Sequence, residues 1–191
     1  MIDHERSAAI TIGGEEYTLI LTTKATKTIA ARYGGLENLG NKLLKSENFE
    51  MALDEVVWLI TLLANQSIMI HNLTHKDSPR ELLTEDTVEL LTVPSDLALY
   101  KDALMEAMYR GTKRNIRSKA DPKKRSSRVS SEELFTRLLY YGTAQLHLTM
   151  EEVWLMPFGL LMDLWECHRQ YTGQAKPLRE CFIEEIFPSG I

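Results

Sequence analysis

Chemistry needs particular side chains at particular spacings, and this chain offers few. His71 and His75 stand four apart, a spacing that lets two imidazoles on one helix share a metal ion. They open a polar stretch, His71 to Arg80, with no third ligand near, so a solvated helix end is the simpler reading. Cys167, beside His168, and Cys181 lack the C-x-x-C spacing of a metal or redox pair. Glu151-Glu152 and Glu184-Glu185 pair carboxylates, but neighbours on a helix point about 100° apart and do not form a catalytic dyad. Helix caps and solvated faces explain them. No G-x-x-x-x-G-K-[ST] or G-x-G-x-x-G run offers a phosphate cradle, and neither G-x-S-x-G nor H-E-x-x-H occurs. The expectation is a protein that is not an enzyme, uses no cofactor and holds no metal.

Composition agrees with a soluble chain. At 191 residues and 44% hydrophobic content it can bury most of its apolar surface in one or two domains. Two cysteines imply no disulfide framework and suit a reducing compartment. The start, MIDHERSAAITIGG, lacks an apolar signal segment, so a cytoplasmic location is expected.

Two features point to binding. Val153 to Trp165 reads V-W-L-M-P-F-G-L-L-M-D-L-W, with Asp163 its one charge. Thr149, three residues ahead of Glu152, predicts a capping box that starts a helix just before this run. A helix apolar nearly all round must be covered on several sides, by its own fold or by a partner. It is too short for a bilayer, which needs roughly 20 apolar residues. Trp154, Met156, Phe158, Leu161, Met162 and Trp165 are therefore either core or a groove for an apolar client. The second feature is a stretch from Arg110 to Arg128 with nine Lys/Arg and one Asp. It carries +8, so the rest of the chain sums to −13. Its serines, Gly111 and Pro122 give it the composition of a solvated tether. Arg114, Arg117, Lys123, Lys124 and Arg125 could instead touch an acidic partner or RNA. No aromatic interleaves them for base stacking, and a net charge of −5 argues against general nucleic-acid affinity.

The elements that must position these residues follow from local signals. Ala8–Ile12 and Tyr17–Leu21 flank Gly13-Gly14, which predicts a β-hairpin. Thr22-Thr23 offers a cap for a helix carrying Ala25, Ile29, Ala30 and Tyr33, closed by Gly34-Gly35. A short helix is predicted over Leu36–Leu44, and a long one over Phe49–Ile70. The long one steps through Val56, Leu59, Ile60, Leu63, Ser67 and Ile70, with Trp58 and Leu62 on a second stripe. Thr84 caps a helix with Val88, Leu90 and Leu91. Pro94-Ser95-Asp96 opens another with Leu97, Tyr100, Leu104, Ala107 and Met108, closed by Gly111. Ser130 and Glu133 form a second capping-box pattern, before a helix with Leu134, Leu138, Leu139 and Tyr141. Pro157 divides the apolar helix that runs on toward Tyr171, and Pro177–Ile191 is a short tail. The fold class is mainly α: a helical unit with an N-terminal hairpin (1–111), a basic flexible linker (112–129) and a smaller helical unit (130–191).

Several of these pieces, in this order, resemble a known family. I-T-I-G-G-E-E-Y-T-L (Ile10–Leu19), T-K-A-T-K-T-I-A-A-R-Y-G-G-L-E-N-L-G (Thr23–Gly40), the Val56-Val57-Trp58-Leu59 helix and L-L-T-V-P-S-D-L (Leu90–Leu97) are similar to tail assembly chaperones of tailed phages and prophages of Gram-positive bacteria. Y-Y-G (Tyr140–Gly142) and L-T-M-E-E-V-W-L-M-P-F-G-L-L-M-D-L (Leu148–Leu164) resemble the extension those chaperones gain by a programmed ribosomal frameshift. Lys123-Lys124-Arg125 is a run that slippery codons can encode. The resemblance implies a chaperone that coats the tape-measure protein and recruits tail-tube subunits in the host cytoplasm, with possible self-association, and that is absent from the mature virion. A helical regulatory adaptor, contacting nucleic acid or an acidic partner through the basic linker, is the alternative.

Overall fold

The computed structural model describes residues 4–35, 38, 49–119 and 130–178, with side chains in the long helix described from residue 53 onward. The predicted helix over Leu36–Leu44 and most of the C-terminal tail lie outside the described residues. Among the described residues the architecture is mainly α with one two-stranded antiparallel sheet. A 3-10 turn, His4–Arg6, leads into β1 (Ser7–Ile12) and β2 (Glu15–Ile20), joined by Gly13 and Gly14. Both glycines have positive φ, 58° and 87°, the backbone of a two-residue hairpin turn. The register pairs Ile12 with Glu15 and Ser7 with Ile20. Ala8, Ile10 and Ile12 alternate inward with Leu19 and Leu21, while Ala9 and Thr11 face water.

α1 (Thr23–Tyr33) starts where Thr22 Oγ1 accepts the Ala25 amide at 3.1 Å. It ends at Gly34 in the left-handed conformation. α2 (Phe49–Thr74) is the central helix, four residues longer at its C-terminus than its apolar stripe predicts. Its Leu53–Thr74 stretch is long and apolar enough to cross a bilayer by length and composition. Here Val56, Leu59, Ile60, Leu63 and Ala64 are instead buried in the core with the hairpin. Trp58 and Leu62 pack at the margin of that core. Two asparagines on α2 hold the loop that follows. Asn65 exchanges both bonds with the backbone of Leu83, at 2.9 and 2.8 Å, and Asn72 does the same with Arg80.

α3 (Glu85–Leu91) is capped by Thr84 and buries Val88 alone; Leu90 and Leu91 are exposed, against expectation. α4 (Asp96–Thr112) buries Leu97, Tyr100, Leu104 and Ala107 on its predicted face. Ser95 makes no side-chain cap, and Gly111 does not close the helix. A Cβ on Gly111 would lie 2.5 Å from Leu21 Cβ, so this glycine allows close packing on the end of β2. Tyr100 donates to the Thr11 carbonyl at 3.2 Å and Arg110 to that of Ser7 at 3.1 Å, tying α4 to β1.

A second core gathers α5 (Ser131–Ala144), α6 (Met150–Leu155) and α7 (Phe158–Tyr171) around Phe135, Leu138, Tyr141, Val153 and Leu161. The Thr149–Glu152 capping box forms in full. That at Ser130 forms by half: Ser130 caps the Glu133 amide, while the Glu133 carboxylate turns to Arg137 at 2.5 Å. Pro157 separates α6 from α7 as predicted.

The two cores share α1, which gives Ala25, Ile29 and Tyr33 to the first and Ala30 to the second. The break at Pro157 continues the line of β2. Thr23 donates its amide to the Met156 carbonyl at 2.9 Å, and Phe158 donates to Leu21 at 3.0 Å. Of the expected linker 112–129, the described part runs along α7 and the segment after it and is bonded to both. Lys119 donates to the Lys176 carbonyl at 2.8 Å and Leu178 to that of Arg117 at 3.0 Å.

Candidate functional site

Among the described residues, a groove that can take a ligand lies between α1, the end of α2 and α6. It has a volume of about 770 Å³. Ala31, Met69, Met150, Trp154 and Leu155 give it an apolar surface; Lys24, Lys27, Thr28 and Glu151 complete its lining. The helical period explains the α1 wall. Thr22 fixes where α1 starts, Ala25, Ile29 and Ala30 turn inward, and Lys24, Lys27, Thr28 and Ala31 are left on one exposed stripe. The capping box at Thr149 fixes the start of α6 and so the positions of Met150 and Trp154. Its hydrogen bonds hold the Glu152 carboxyl below its usual range, the Thr149 amide first and its hydroxyl second.

Both lysines lie across apolar groups. Lys27 Nζ sits 5.0 Å from the centroid of the Trp154 ring, and Lys24 Nζ is 3.8 Å from Met69 Sδ. The groove can therefore accept apolar side chains against Met and Trp, and can place positive charge beside them. Met150 is 58% exposed, so a flexible thioether side chain is free to adapt to what enters.

Of the six residues expected at a client surface, only Trp154 lines this groove. Leu161 is fully buried, which removes it from any surface. Phe158, Met162 and Trp165 are half-buried against the second core; Phe158 rests on Phe135 with centroids 6.3 Å apart, and Trp165 meets Tyr141 edge-on at 4.9 Å. Met156 also packs there, and its carbonyl serves the junction with Thr23. Lys24, Lys27, Ala31, Met69 and Met150 were not singled out from sequence. The spacing of 24, 27, 28 and 31, all on one α1 face, was the available signal.

The described part of the basic segment, through Lys119, is bonded into the fold. Arg114 Nε donates to Asp163 Oδ1 at 3.1 Å and its Nη2 to the Met162 carbonyl at 3.0 Å. The amides of Asn115 and Ile116 also donate to Asp163, at 3.0–3.1 Å. From the far end of the chain Arg6 Nη2 reaches Asp163 Oδ2 at 2.7 Å, with both side chains 5% exposed. Burial pushes the Asp163 carboxyl up, but these two amides, Arg114 and Arg6 outweigh it and leave it below its ordinary value. Arg114 is thus committed to the fold, Arg117 is exposed, and Lys123, Lys124 and Arg125 lie outside the described residues.

Other chemical candidates separate. The rings of His71 and His75 stack at 4.3 Å, with His75 Nδ1 beside Thr74 and His71 Nε2 beside the Ser78 carbonyl. Among the described residues no three His, Cys, Asp or Glu converge as a metal site. Partial burial, then the carboxylates of Asp163 and Glu166, push the Cys167 thiol up, away from a reactive thiolate. No protein-family model, curated protein or solved structure matches this chain significantly.

Proposed function

We propose that the protein is a tail assembly chaperone that holds an apolar helix of the tape-measure protein, and recruits tail-tube subunits, during phage tail assembly. The observation that supports this most is the open groove between α1, α2 and α6, lined by Met69, Met150, Trp154 and Ala31. A holdase needs accessible apolar surface of adaptable shape, and helix-in-groove binding is a common way to use it. The order of sequence pieces that resembles the chaperone family supplies the identity of the client.

The test is co-purification with the tape-measure protein of the same phage or prophage. Ala31→Glu and Met150→Asp alter exposed groove residues, so the melting curve should hold while the client is lost. Both variants staying folded and retaining the client in full would rule the groove out.

A further inference from the structure

We infer that the helix taken up by this groove carries acidic residues along the flank that lies against α1. The inference rests on the reading of the groove as a client site and names the chemistry of its occupant. The groove is electrically lopsided. Its α1 side presents Lys24 and Lys27, and α1 itself, Thr23–Tyr33, contains no acid. The α6 side presents Glu151. Among the described residues neither ammonium has an ion-pair partner; each lies over the apolar wall, Lys27 on Trp154 and Lys24 on Met69. Two cations held at the edge of apolar surface favour a ligand whose apolar side chains are flanked by carboxylates.

The walls are helices, and an occupying helix presents anchors at i, i+3, i+4 and i+7, with its flanking positions at the rims. Acids on one flank meet Lys24 and Lys27. The other flank passes Glu151 and is neutral or basic. Such complementarity sets orientation and excludes wrong partners more than it adds raw affinity. A helix with the same apolar face and lysine flanks would bring like charges together at the α1 rim.

The test uses the full chain and three fluorescent peptides of about 18 residues, long enough to form a helix. They share one leucine face, carry Glu, Gln or Lys along one flank, and have Gln along the other. The Glu peptide should bind about tenfold tighter than the Lys peptide at low salt, with Gln between. The gap should close near 0.5 M salt and invert in Lys24→Glu/Lys27→Glu, whose altered residues are both exposed. If all three peptides bind alike and Ala31→Glu abolishes binding, the acidic preference is overturned while the groove stands. If none binds, or binding survives Ala31→Glu, the groove reading falls and takes this inference with it.

Discussion

Asp163 gathers more of the structure than any neighbour in its run. It is 4% exposed, yet it accepts from Arg6, Arg114 and the amides of Asn115 and Ile116. Removing a buried carboxylate that accepts from two guanidiniums and two amides leaves those donors short of their acceptor, so Asp163→Ala should cost about 3–5 kcal/mol, read by urea denaturation at pH 7. The carboxyl is held below its ordinary value of 3.8 in the folded chain. Its contribution is therefore complete above that value and fades as pH falls through the lower, folded one. The stability gap between the native chain and Asp163→Asn should be constant from neutral pH down to the ordinary Asp range, and should narrow below it. A gap that widened on acidification would contradict the assignment. The sequence shows Asp163 as the lone charge in an apolar stretch, but cannot show that Arg6, 157 positions away, is its partner.

At the level of elements, what was legible was local. The Gly13-Gly14 turn, the Thr22, Thr84 and Thr149 caps and the Pro157 break each depend on residues within four positions of one another, and each formed as read. The groove was legible only in Trp154, because α1, α2 and α6 meet through tertiary packing. Gly159 marks another contact of that kind. A Cβ there would lie 2.5 Å from both the Lys113 carbonyl and Arg6 Nη1, and 2.8 Å from the Gly111 carbonyl. Two of these three atoms are backbone, which has little room to yield. Gly159→Ala should destabilise by about 1–3 kcal/mol by overpacking, despite the better helix propensity of alanine. A thermal melt unchanged or raised in this variant would show that α7 has room to shift against the end of α4.

Across the whole molecule, the two cores are coupled by more than a tether. They share α1, the backbone bonds between Leu21–Thr23 and Met156–Phe158 join them, and Arg6 pairs across them. Differential scanning calorimetry should therefore give one cooperative transition; two resolved transitions would mean that the cores unfold independently. The pairing of Arg6 with Asp163 also places a clock on synthesis. At roughly 5–20 residues per second, the 157 residues between them take about 8–30 s to emerge. For that time Arg6 can have no Asp163, and Leu21 and Thr23 wait almost as long for Phe158 and Met156. The segment around Arg6 and Leu21–Thr23 is thus completed by residues made much later, and a nascent chain that still lacks α7 presents that edge to whatever waits at the ribosome.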